Sequence, residues 1–266
     1  MTAPSDQLRP ALLPARERSR AVLVGSSFGL GSSAAADVTR RLATEALTSE
    51  GSGGGAFRRE NTTLLLDPER PADVLGAVRH AAEAASDVLL FQFAGKDFYH
   101  EERLFLGVGG TDPCRLEDTG VSLEAVADIM SASQAARLVV ILECGYPDVA
   151  ASALATTAPR VSVLAGPLSF GFSDDPFTET LVRGLVKGVQ GGPEVLDLLT
   201  LKNAMEGAYA ETRYCVENEY IGAPSRVVLR GGGDVALGVN PAFGAPKGNG
   251  ALPPHPDAVD DWWLGD

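Results

Sequence analysis

From residue 20 onward, short and wholly apolar runs alternate with stretches that carry apolar residues at helical spacing. Ala21-Val22-Leu23-Val24, ending in Gly25-Ser26-Ser27, predicts a first buried strand. Residues 33–48 place Val38, Leu42 and Leu47 at helical spacing, and the glycine-rich run 51–55 then breaks the chain. Thr63–Leu66 predicts a second strand, stopped by Asp67-Pro68. Pro71 opens a helix whose apolar face is Val74, Leu75, Val78 and Ala82. Asp87–Phe93 and Leu138–Leu142 predict strands buried on both faces, with a shorter strand at Arg103–Val108 and a helix capped by Ser122 running to Ser131. A helix near 149–157, a strand at Val161–Ala165, a helix facing inward through Leu181, Val182, Leu185, Val186 and Val189, a helix near 196–211 and a strand at Arg226–Leu229 complete the pattern. Such alternation predicts an α/β fold with a mostly parallel central sheet and helices on both faces. The expected organisation is a flexible N-terminal segment (1–18), one domain (19–243) and a Gly/Pro-rich tail (244–266) ending in Trp262-Trp263-Leu264.

Charge narrows the partners. The chain has 22 Lys and Arg against 35 Asp and Glu, a formal net charge of −13, which disfavours phosphate backbones and anionic lipid surfaces. Nucleic acid and membrane are therefore not expected as partners. No apolar run approaches the ~18 residues of a membrane span. Residues 1–18 lack the apolar core of a signal peptide, and three cysteines (Cys114, Cys144, Cys215) form no C-x-x-C pair. Free thiols fit a reducing compartment, so a cytoplasmic location is the expectation.

In a parallel α/β sheet, ligands bind beyond the carboxyl ends of the strands, which directs attention to loops 25–31, 94–100, 143–148 and 166–175. Gly25-Ser26-Ser27-Phe28-Gly29 has the G-x-S-x-G form of a nucleophile elbow, with Ser27 as the candidate hydroxyl. It follows the first strand rather than a later one, and only His80, His100 and His255 exist to serve as base. Small residues that let the chain leave the strand closely explain the same pattern. Gly25, Gly29 and Gly31 are misordered for a dinucleotide fingerprint, no Walker A sequence occurs, and no ligand pair has metal spacing. No cofactor and no metal are expected.

Two loops carry a resemblance. Phe91-Gln92-Phe93-Ala94-Gly95-Lys96-Asp97 ends one buried strand, and Val140-Ile141-Leu142-Glu143-Cys144-Gly145-Tyr146 ends another about fifty residues later. Together they resemble the caspase-like cysteine peptidases, in which one strand ends in Ser/Ala-Gly-His-Gly and a later one in Asp-(Cys/Ala)-Cys-x-Ser-Gly. Ala21–Gly25, Leu104-Phe105-Leu106 with Gly110-Thr111-Asp112, Ser122–Ser131 and Phe177–Val189 are similar to further elements of that fold, so the resemblance covers residues 19–243. In particular it resembles the actinobacterial caspase-like proteins encoded with effector-associated modules. The resemblance implies that the base position holds Lys96 and the nucleophile position Gly145, with Cys144 at the preceding, structural position. A lysine ammonium of ordinary pKa is no base and glycine has no nucleophile.

What the resemblance implies is a pseudoenzyme with a binding, regulatory or scaffolding role for a peptide or protein partner, such as an active caspase-like protein or an effector. The expected cleft is formed by Gly25, Ser26, Ser27, Gly95, Lys96, Glu143, Cys144 and Gly145, with Asp174 and Asp175 flanking a pocket. Lys96 is expected to pair with Asp97 or Glu143 across its mouth. Cys144, one residue off the nucleophile position, should face the helix layer. Two alternatives stand beside this reading. One is an active cysteine peptidase with a displaced Cys144/His100 dyad, and the other is a structural subunit docking through Trp262 and Trp263.

Overall fold

A computed structural model describes residues 11–30, 33–49, 55–168, 177–214, 227–231 and 235–244; Cys215, Asp174, Asp175, His255, Trp262 and Trp263 lie outside the described residues. The apolar runs form a six-stranded sheet. In sequence its strands are β1 (Arg20–Gly25), β2 (Thr62–Leu66), β3 (Val88–Ala94), β7 (Arg137–Cys144), β8 (Val161–Pro167) and β10 (Val228–Arg230). Their spatial order is β10-β8-β7-β3-β1-β2. Every pairing is parallel except β10 on β8, which runs antiparallel at the edge. The mostly parallel α/β class expected from the alternation is the one observed. β2 lies on one side of β1 and β3 on the other, so the strand order reverses between β1 and β3. In parallel α/β sheets such a reversal marks the place where a crevice forms at the carboxyl ends of the strands.

Among the described residues, six helices cover the sheet, a seventh short one lies beside a hairpin, and period-two alternation sorts the strand side chains between the layers. Phe91 and Phe93 of β3 and Leu138, Val140 and Leu142 of β7 share one cluster with α2 (Pro71–Ala84), α4 (Leu123–Ser131) and α5 (Pro147–Thr157). Leu90, Val139 and Ile141 share the opposite cluster with α1 (Ala34–Arg41), α6 (Phe177–Lys187) and α7 (Leu198–Tyr214). Proline at N1 starts α2, and Val74, Val78, Ala81 and Ala82 form its buried stripe. Ser122 Oγ accepts from Ala125 N at 3.3 Å and caps α4. The helix expected over 33–48 divides: α1 continues as one π-helical stretch, Leu42–Leu47, closed by Thr48 N donating to Ala43 O. Val186, expected on the buried face of α6, is 41% exposed because the stripe runs through Leu181, Val182 and Leu185 instead.

Two small sheets lie outside this frame. β4 (Asp97–His100) and β5 (Arg103–Leu106) form an antiparallel hairpin, joined by β6 (Val121–Ser122), with α3 (Leu116–Thr119) beside it. The expected strand at Arg103–Val108 is thus a hairpin arm rather than part of the main sheet. β9 (Val195–Asp197) pairs with β11 (Ala236–Val239). Packing begins before the expected boundary at residue 19. Leu12 bridges Val235, Ala15 N donates to Asp87 Oδ2 at 2.6 Å, and Arg137 Nη1 donates to Leu12 O at 2.7 Å. Among the described residues, no helix is long and apolar enough to cross a membrane.

Candidate functional site

The crevice is built from three strand ends held in register: Gly25, Ala94 and Glu143 lie side by side across β1, β3 and β7. Gly25 must be small because α1 lies against it; a Cβ there would sit 2.7 Å from Ala35 O and 2.8 Å from Thr39 Oγ1. Ser26 is buried and donates its N–H to Ala94 O at 2.9 Å, while Ser27 N donates to Asp67 Oδ1 at 2.7 Å. Among the described residues, neither Ser26 Oγ nor Ser27 Oγ has a hydrogen-bond partner. His80 stands exposed on α2, within a different layer.

Gly95 crosses tightly over the first loop, where an added Cβ would lie 2.8 Å from Ser26 O. Lys96 then arches over Gly29, which adopts φ 68°, and its Nζ lies 5.2 Å from the centre of the Phe98 ring. Phe28 packs against Phe98 with ring centroids 6.1 Å apart. Lys96 forms no ion pair with Asp97 or Glu143 among the described residues, contrary to expectation. Both carboxylates are turned instead onto backbone amides, which desolvates them without a cation.

Asp97 is the centre of the arrangement. It is 6% exposed; its Oδ1 accepts from Gly145 N at 2.5 Å and its Oδ2 from Tyr146 N at 3.2 Å. These amides lead into α5, whose N-terminus favours a negative group. Burial pushes the Asp97 carboxyl above its usual range, and the amide hydrogen bonds only partly oppose this. A Cβ at Gly145 would lie 2.9 Å from Asp97 Oδ1. Glu143 repeats the device on the other layer: it is 4% exposed, and its Oε2 accepts from Thr178 N at 2.9 Å, in the first turn of α6. Burial raises its pKa as well.

Cys144 is fully buried and belongs to the cluster beneath α2, α4 and α5. Burial first, then the charge of Asp97, pushes its thiol well above the usual range, so the thiolate needed for nucleophilic attack is disfavoured. His100 sits at the far end of the β4–β5 hairpin, exposed, with Nε2 3.8 Å from Glu101 Oε1. Strand alternation places it with Phe98 on the face opposite Asp97 and Tyr99. The structure therefore brings Lys96, Asp97, Gly145 and Tyr146 to one crevice and leaves Cys144 under the helices and His100 on the hairpin.

Sequence reasoning missed Asp97 as a ligand of the 145–146 amides. The signal available was an aspartate where the resembled motif has glycine. It also missed Tyr99 and Tyr146, 48% and 49% exposed, whose rings lie 6.0 Å apart beside these amides. Among the described residues no cluster of His, Cys, Asp and Glu is placed to hold a metal ion.

No protein-family model matches the sequence, and no curated protein does. Among solved structures, the chain is similar to the Drosophila initiator caspase Dronc, with a TM-score of 0.41 and 9% identity over 88% of this chain and 87% of that one.

Proposed function

We propose that this chain is a caspase-like protein that binds a peptide or protein segment at its strand-end crevice instead of cleaving it. The observation that carries the reading is the Asp97 carboxylate seated on the amides of Gly145 and Tyr146. Acyl transfer needs such amides to stabilise a developing oxyanion. Here a negative group already fills them, it would repel an oxyanion, and it adds to the burial that raises the pKa of the neighbouring thiol. Position 145 has no side chain to attack with, and Lys96 stands where the resembled family carries its imidazole. The exposed pair Tyr99 and Tyr146 offers broad, rigid apolar area with polar tips, the chemistry enriched at binding hot spots. A regulatory or scaffolding role beside an active caspase-like protein or an effector follows from the resemblance.

The test pairs catalysis with binding. Purified protein is incubated with a fluorogenic peptide library, and the same peptides are screened for binding to wild type and to Y99A/Y146A. The expected result is no turnover above blank and a bound peptide set lost in the double variant. Turnover abolished by C144A or S27A would overturn the reading.

A further inference from the structure

The amino end of the sheet, remote from the crevice, carries a concentration of positive charge that the rest of this acidic chain lacks. Residues 16–20 and 58–60 hold Arg16, Arg18, Arg20, Arg58 and Arg59 against only Glu17 and Glu60, so five of the 22 basic residues fall within eight positions. Arg16, Glu17, Arg58, Arg59 and Glu60 line a cleft of about 280 Å³. Arg58 is already committed, bridging Glu17 and Glu60. Arg59 is exposed and forms no ion pair among the described residues, and Arg16 Nε is buried without a hydrogen-bond partner. Arg16 Nη2 donates to Phe57 O at 3.3 Å, so it is the exposed Arg59 guanidinium that the cleft retains for an outside anion.

The same chain contains a segment of matching chemistry. Residues 257–266 carry Asp257, Asp260, Asp261 and Asp266 with no basic residue, and they surround Trp262 and Trp263, the chain's two tryptophans. The last described strand runs beside the cleft: Leu12 bridges Val235 and Gly55 bridges Gly238. Arg16 lies four residues beyond Leu12, and Arg58 three beyond Gly55. From Gly244 to Asp260 the intervening residues 245–259 can extend over roughly 50 Å, ample for the return.

We propose that the acidic segment 257–266 docks in cis on this arginine cleft, its carboxylates pairing with Arg59 and an indole lying over a guanidinium. Charge-assisted pairs to arginine and indole–guanidinium stacking reinforce each other when water is partly excluded. The inference does not depend on the crevice reading, since the cleft lies at the opposite end of the strands.

Because both tryptophans lie in the segment, intrinsic tryptophan emission of the full chain reports its environment directly. Emission is compared between wild type, R59E, D260K/D261K, the charge-swapped combination R59E/D260K/D261K and a synthetic peptide of residues 255–266. Far-UV circular dichroism checks the fold of each chain. Docking predicts wild-type emission to the blue of the peptide, independent of protein concentration. It shifts red toward the peptide in R59E, in D260K/D261K and at high salt, and returns part of the way in the combination. Because D260K/D261K alters only the tail, it keeps the test decisive if R59E does not fold. Wild-type emission equal to that of the peptide, blue emission insensitive to the charge reversals, or a blue shift that grows with concentration and so marks docking between copies, would each overturn the proposal.

Discussion

Two aspartates bracket β3 and meet opposite fates. Asp87, just before the strand, is largely buried, yet its carboxyl is held below its usual range. Burial is outweighed by the Ala15 amide and by Arg137, whose guanidinium lies 2.8 Å away. Asp97, just after the strand, is buried against neutral amides and, among the described residues, pairs with no cation, and its carboxyl is pushed up. The Asp87–Arg137 pair before β3 is therefore a neutralised structural clamp, while Asp97 at the carboxyl end carries a charge that stability alone would not choose. Unneutralised buried charge at a strand-end crevice is a mark of a site rather than of a scaffold.

The comparison yields graded predictions. The largest effect should come from R137A, which leaves Asp87 buried without its cation and also releases Leu12 O. Urea unfolding should show a loss of about 3 kcal/mol, toward the lower end for a broken buried pair because the strand end lies near solvent. D97A removes a desolvated carboxylate and leaves two amides that water can reach at the exposed Gly145 and Tyr146, so the change should be no more than about 1 kcal/mol. A D97A loss equal to that of R137A would erase the distinction.

The pH dependence of the two aspartates should have opposite sign. A depressed folded pKa means that the Asp87 contribution is present above the unfolded carboxylate range and is lost as pH falls through the folded value. A raised folded pKa means that the folded state binds the Asp97 proton first. The Asp97 contribution therefore becomes more favourable as pH falls from neutrality toward the unfolded value. Stability measured against pH for wild type relative to D87N should slope upward with pH, and relative to D97N downward. The same direction for both would break the comparison.

Smaller effects sharpen it. G145C forces a Cβ to within contact of Asp97 Oδ1 and should cost about 1 kcal/mol, partly recovered in D97G/G145C. Additive losses in the double variant would mean that the two positions do not meet. Finally, thiol labelling of native protein should modify the exposed Cys114 rapidly and Cys144 only on unfolding, as peptide mapping can read.

Much of this was legible along the chain. Wholly apolar runs such as Leu138–Leu142 fixed strands buried on both faces, and period-two alternation placed Cys144 among the helices, because these features depend only on neighbours in sequence. The antiparallel sense of β10 was not legible, since a three-residue apolar stretch carries no direction. Nor was the anchoring of residues 11–18, whose partners Asp87, Arg137 and Val235 lie far along the chain. Asp97 illustrates the limit most clearly. Its neighbours in sequence suggested a pair with Lys96, but the β4–β5 hairpin turns its carboxylate onto amides 48 and 49 residues away. Hydrophobic patterning by itself determined the sheet and its layers, because burial acts on each side chain locally. Only the tertiary structure decided which group fills the crevice, because backbone amides leave no trace in the identity of the residues that carry them.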